Sequence, residues 1–119
     1  MTSDNSLFDA LKYRVVVTDA GSRRYYNSAG QLHRDEGPAI IQFDGTEKWF
    51  QNGKLHRDAG PAIEYASGVK EWWINGQRHR DAGPAVIWAN GRKEWYYKGV
   101  RYEKSDYDNI IAGLAFDDH

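Results

Sequence analysis

The sequence contains no cysteine among its 119 residues. A disulfide framework, a thiolate zinc site and a cysteine nucleophile are therefore all excluded, and the absence agrees with a reducing compartment. Charge of one sign is lacking too: 16 Lys and Arg stand against 17 Asp and Glu, a formal net charge of −1. No global field of either sign draws in polyanions. No apolar run approaches membrane-spanning length, and the opening residues lack a basic stretch followed by an apolar one. The expectation is a cytoplasmic protein without membrane insertion and without a cofactor. Proline is scarce, with 3 residues, whereas 5 Trp, 8 Tyr and 12 Gly are present. That mixture belongs to aromatic-rich strands punctuated by glycine turns.

An internal repeat organises the chain. His33, His56 and His79 recur every 23 residues, and so do Pro38, Pro61 and Pro84, Gly45, Gly68 and Gly91, Trp49, Trp72 and Trp95, and Gly30, Gly53, Gly76 and Gly99. Upstream, Val15, Val16, Val17 and Tyr26 read as a degenerate opening unit, and downstream Tyr102 replaces the histidine. Atypical first and last units are what a repeat stack needs to close its ends.

The turns predict the register. Asp44-Gly45, Ser67-Gly68 and Asn90-Gly91 read as two-residue hairpin turns. Counting outward pairs Ile40 with Trp49, Ile63 with Trp72 and Val86 with Trp95. A second set, Asn52-Gly53, Asn75-Gly76 and Lys98-Gly99, places His56 beside Trp49, His79 beside Trp72 and Tyr102 beside Trp95. Alternation of side chains then gives a core face holding these isoleucines, tryptophans and histidines. It also gives an outer face holding Phe50, Trp73 and Tyr96 among charged residues that include Arg78 and Arg101. On the core face, Tyr65 is expected beside Lys70 and Trp88 beside Lys93 as cation–π pairs. Gly-Pro in each His-Arg-Asp-x-Gly-Pro-Ala run bends the strand, which favours two strands per unit, one long and kinked.

The fold class is therefore all-β: an antiparallel meander of tandem 23-residue β-hairpin repeats forming a twisted, elongated sheet, followed by a C-terminal α-helix. Residues 1–13 form an N-terminal segment in which Leu7, Phe8 and Leu11 act as a cap, residues 14–102 the repeat sheet, and residues 103–119 the helix and tail. Ser105 is the expected N-cap, with Tyr107, Ile110, Ile111 and Leu114 at helical spacing. That apolar stripe would cover Trp88, Trp95, Tyr97 and Tyr102.

Asn52-Gly53-Lys54-Leu55-His56, the Ser67-Gly68 turn and the pair Trp72-Trp73 resemble the MORN repeat and its degenerate variants. The resemblance spans roughly residues 14–102 and implies a β-hairpin meander with a scaffold or interaction role. His-Arg-Asp-x-Gly-Pro-Ala stands in place of the family's His-Gly-x-Gly core. That line is similar to short repeat proteins of bacteriophages and large DNA viruses, which implies a viral protein acting on host machinery.

The histidines could be offered as metal ligands, but equivalent positions lie two strands apart, about 9–10 Å, too far to converge on one ion. Each is expected instead beside a tryptophan with its ring nitrogens hydrogen-bonded. His-Arg-Asp repeated at every unit does not make one asymmetric catalytic site, so no enzyme activity is expected. Asp35, Asp58 and Asp81 are expected to accept backbone amides in the turn. The leading reading is a non-catalytic protein–protein interaction module, a phage-encoded, anti-CRISPR-like inhibitor of a host defence system that acts by steric occlusion of a host protein. Phe50, Trp73 and Tyr96 are its candidate anchors, and Arg57, Arg78 and Arg80 its polar contacts. Two alternatives stand beside it. One is a binder of a phosphate-bearing nucleotide or nucleic acid through the arginine ladder. The other is a scaffold that self-associates, as a homodimer or through sheet edges.

Overall fold

The computed structural model describes residues 12–117, which form antiparallel β structure followed by one helix. The strands are β1 (Arg14–Val17), β2 (Arg23–Tyr26), β3 (Ile40–Ile41), β4 (Glu47–Lys48), β5 (Phe50–Gln51), β6 (Lys54–Leu55), β7 (Ile63–Glu64), β8 (Lys70–Glu71), β9 (Trp73–Ile74), β10 (Gln77–Arg78), β11 (Val86–Ile87), β12 (Lys93–Tyr97) and β13 (Val100–Tyr102), and the helix is α1 (Lys104–Asp117). Nine strands make one sheet in the order β1-β2-β3-β4-β7-β8-β11-β12-β13, while β5 with β6 and β9 with β10 form separate two-stranded ribbons. Strand β8 pairs with β11 and β9 pairs with β10, all antiparallel, so β10 and β11 run the same way on either side of the bend at residues 81–83. That is the long, kinked strand that Gly-Pro implies.

The register differs by one residue from the count made outward from Asp44-Gly45. Ile40 pairs with Lys48, Ile63 with Glu71 and Val86 with Glu94, not with the neighbouring tryptophans. The reason is the loop. The Gln42 amide bonds to the Thr46 carbonyl and the Gly45 amide to the Gln42 carbonyl, which leaves a three-residue connection. Only its glycine enters the left-handed region, with Gly45 at φ 96°, while the Asp44 carboxylate accepts the Thr46 amide at 2.9 Å. A type I turn closed by a left-handed glycine differs by one residue from a two-residue turn. The second set of turns is of the expected two-residue kind, with Asn52 at φ 49° and Gly53 at φ 84°, and His56 duly sits beside Trp49, its amide 3.1 Å from the Trp49 carbonyl.

A one-residue slip moves every side chain of a strand to the other face. Ile40, Ile63 and Val86 therefore share a face with Phe50, Trp73 and Tyr96, here termed the isoleucine face. Trp49 and Trp72, with His56 and His79, lie on the opposite, histidine face. The cation–π neighbour of Trp88 moves in the same way, from Lys93 to Arg92, whose guanidinium carbon is 5.3 Å from the ring.

Ile63, Val86, Tyr25 and the three alanines Ala39, Ala62 and Ala85 are buried. The Ala62 carbonyl accepts the Trp49 amide at 2.7 Å and its amide donates to the Glu71 carbonyl at 2.8 Å, so the residue joins strands on both sides. This second bond is one residue out of step with the Ile63–Glu71 pairing, and the strand line leaves the ladder at Trp72.

Helix α1 has 14 residues and starts two residues before Ser105 would place it: the Tyr107 amide already bonds to the Glu103 carbonyl. Tyr107 is buried and Ile110 and Ile111 half-buried, whereas Leu114 and Trp88 remain exposed. The helix thus covers less of the aromatic surface than its apolar stripe implies. The proposed cap of Leu7, Phe8 and Leu11 lies outside the described residues; within them, buried Tyr13 packs edge-on to Tyr25 with ring centroids 5.9 Å apart. No helix among the described residues is long and apolar enough to cross a membrane.

Ile63 is 4% exposed in the middle of the sheet. Ile63→Ala is expected to lower the unfolding free energy by about 2–5 kcal/mol with an unchanged urea m-value. A loss under about 1 kcal/mol in urea titrations would remove this residue from the core.

Candidate functional site

Each described histidine is a bridge. His56 Nδ1 accepts the Asn75 amide at 3.0 Å, and its Nε2 lies 2.9 Å from Asp58 Oδ1. His33 does the same between the Asn52 amide at 2.9 Å and Asp35 at 2.8 Å, and His79 between the Lys98 amide and Asp81, at 2.8 Å and 2.7 Å. Since Nδ1 must offer a lone pair to an N–H, the ring carries its proton on Nε2 and donates it to the carboxylate. The aspartates therefore serve the histidines, where backbone amides were expected as their donors. The bridge works because the next two-residue turn docks on the bend: the Gly76 amide bonds to the Leu55 carbonyl at 2.8 Å and the Gly99 amide to the Arg78 carbonyl at 2.9 Å.

The arginine after each histidine lies flat on an aromatic ring. Arg57 stands 3.8 Å above the Trp49 ring, Arg80 3.9 Å above Trp72 and Arg34 4.0 Å above Tyr25. Nη1 of Arg57 donates to the Pro61 carbonyl at 3.1 Å and to Glu64 at 3.0 Å, and Nη1 of Arg80 to the Pro84 carbonyl at 3.0 Å. A glycine closes the other side of each guanidinium. A Cβ built on Gly83 would lie 3.0 Å from Arg80, and one on Gly60 3.3 Å from Arg57. The Gly of each Gly-Pro pair thus makes room for a stacked cation.

On the isoleucine face the chemistry converges on two carboxylates. Glu71, 6% exposed, accepts the Trp73 indole N–H at 2.8 Å and Arg78 Nε at 3.3 Å. Arg78 also lies between two rings, 5.1 Å from Trp73 and 5.3 Å from Tyr96. Burial works to lower its pKa, but Glu71 outweighs that and raises it. Burial, with Glu71 nearby, pushes the Tyr65 phenol up. Glu94 accepts from the Trp88 indole at 3.0 Å and Arg92 at 2.9 Å. Burial opposes its ionisation, yet these two donors hold its pKa below the ordinary value.

The six residues singled out from the sequence fall into two groups. Phe50, Trp73, Tyr96 and Arg78 are together on the isoleucine face, while Arg57 and Arg80 are stacked on the histidine face. Sequence reasoning missed Glu71, Glu94, Tyr65 and Trp88 as parts of the first group; the signal was present, since Glu71 and Glu94 are 23 residues apart and each sits two residues before an anchor. Lys48, Phe50 and Leu55 occupy the same places one repeat earlier, so this face changes from basic and aliphatic to carboxylate-centred along the sheet. No cluster of three or more potential metal ligands occurs among the described residues. The chain matches no protein-family model, no curated protein and no solved structure.

Near the first bend, Asp35 is held at about 2 by Lys12, then His33 and Tyr13. Lys12 Nζ lies 2.7 Å from its carboxylate, and the Tyr13 hydroxyl donates at 3.1 Å. A depressed carboxylate stabilises the fold above its unfolded value near 4 and loses that contribution as pH falls through about 2. An NMR titration should find the Asp35 midpoint near 2 in the native protein, raised towards the ordinary value in Lys12→Ala. An Asp35 midpoint near 4 in the unmodified chain would contradict the geometry. Gly83→Ala should lift Arg80 off Trp72 and cost about 1–3 kcal/mol, read by chemical denaturation and by tryptophan fluorescence; no change in either would show that the sandwich has slack.

Proposed function

We propose that the chain is a non-catalytic protein-interaction module of tandem, MORN-like β-hairpin units that presents its isoleucine face to a protein partner and acts by steric occlusion. The observation that carries this reading is the Trp73–Arg78–Tyr96 stack over Glu71. Trp, Tyr and Arg are the residues that dominate interface energetics, and here a carboxylate and two rings hold the guanidinium in place, which reduces the ordering cost of binding. Both described terminal segments lie elsewhere: Tyr13 packs on Tyr25 and His33, and Tyr107 and Ile111 line a groove with Trp95. The resemblance to viral repeat proteins makes a host protein, such as a component of a defence system, the partner to test first.

Phosphate binding through Arg57 and Arg80 has less support. Their guanidiniums are flat on rings and donate to Pro61, Glu64 and Pro84.

The structure dictates which variants test the proposal. Trp73→Ala removes a donor from buried Glu71 and is expected to cost about 1–3 kcal/mol of stability, so it confounds folding with binding. Phe50→Ala with Tyr96→Ala leaves that donor in place. The double variant should bind the partner at least about tenfold more weakly, measured by quantitative affinity capture, with a melting temperature close to that of the parent. Unchanged capture by the folded variant would overturn the assignment of this face.

A further inference from the structure

The histidine face carries a series of grooves, one beside each bend, and the chain fills one of them with its own tyrosine. In the groove beside Trp95, the Tyr107 hydroxyl donates to the Arg80 carbonyl and accepts the Gly83 amide at 3.3 Å, while Ile111 and Lys104 line the same space. In the groove beside Trp49, the corresponding carbonyl, that of Arg34, accepts Gln51 Nε2 at 3.0 Å. The groove between them differs. Ile74 stands 23 residues after Gln51 and has no amide to donate. The Arg57 carbonyl and the Gly60 amide, the counterparts of the two groups that Tyr107 bridges, have no hydrogen-bond partner among the described residues. They flank a cavity of about 550 Å³ walled by Gly60, Trp72, Ile74 and His79.

We propose that this middle groove binds a tyrosine on an amphipathic helix of a protein partner, in the manner in which Tyr107 fills the next groove. A phenol suits it for three reasons. One hydroxyl donates to the Arg57 carbonyl and accepts from the Gly60 amide, which satisfies both at once. The ring gains the apolar contact of Trp72 and Ile74. The rim carries Asp58 and Asp81, with side chains 88% and 80% exposed, so a basic residue three positions before the tyrosine is favoured, as Lys104 precedes Tyr107 on α1. An aliphatic residue four positions after it, as Ile111 follows Tyr107, falls on the same side of the helix. This surface is distinct from the isoleucine face, and the chain then contacts a partner on two sides.

The chain's own helix supplies the probe. A peptide with the sequence of residues 103–117, stapled across Ser105 and Asn109, is titrated into the isotope-labelled full chain while the Gly60 amide and the Trp72 indole are followed by NMR. Both signals should shift saturably, and the peptide carrying Phe in place of Tyr107 should bind about tenfold more weakly. In Ile74→Gln, where the new amide can close the Arg57 carbonyl as Gln51 closes that of Arg34, the Gly60 response should disappear. The Phe50→Ala and Tyr96→Ala double variant should respond like the parent, which separates this groove from the other face. No Gly60 shift at millimolar peptide, shifts confined to Gly83, equal binding of the Phe peptide, or an unaltered response in Ile74→Gln would each overturn the proposal.

Discussion

The structure depends on an imidazole held between two strand layers. At each described histidine, Nδ1 accepts the first amide of the following two-residue turn and Nε2 donates to the aspartate two residues later. One ring thereby joins the bend of one hairpin, the turn of the next and the carboxylate beside the bend. A neutral histidine has one donor and one acceptor on opposite sides of a rigid ring; lysine has no acceptor and serine is too short to reach both. The turn amide is exposed and its bond to histidine is individually modest. The value of the bridge lies in repetition, because it orients successive ribbons in the same way.

Much of the remaining sequence follows from that arrangement. With the bend fixed, the arginine after the histidine falls over a tryptophan or tyrosine ring, and the glycine before proline leaves space for its guanidinium. The most regular residues, His-Arg-Asp and Gly-Pro-Ala, are therefore engaged with one another. The other face varies: carboxylates, aromatics and arginines stand in the places that hold Lys48, Phe50 and Leu55 one repeat earlier. A surface that discriminates between partners needs such variation, whereas a scaffold needs sameness. The grooves on the histidine face combine the two, since their walls recur but Gln51, Ile74 and Tyr107 leave them in different states of occupation.

The antiparallel sheet, the second set of turns and the C-terminal helix were legible in the sequence because glycine spacing and aromatic content report them directly. The register of the larger hairpins was not. Asp44-Gly45 is compatible with a two-residue turn and with a three-residue loop, and only the backbone hydrogen bonds from Gln42 and Gly45 separate them. The ambiguity has a large effect, since it transfers Ile40, Ile63 and Val86 between faces. The anchor row of Phe50, Trp73 and Tyr96 was found correctly as a row, but its place beside the best-buried aliphatics and around Glu71 was not. Arg78 parted from Arg57 and Arg80 for a related reason: the bend after His79 reverses the facing that simple alternation gives. The role of glycine as a seat for a stacked guanidinium had no signature short of the three-dimensional contact.

The protonation pattern of the rings tests this account most directly. Long-range proton–nitrogen correlation spectra at neutral pH should show His33, His56 and His79 as the Nε2–H tautomer, with Nδ1 in the unprotonated, hydrogen-bond-accepting state and coupled to the amides of Asn52, Asn75 and Lys98. Rings protonated at Nδ1, or the absence of any coupling to those amides, would contradict the bridge on which the rest of the structure has been argued to depend.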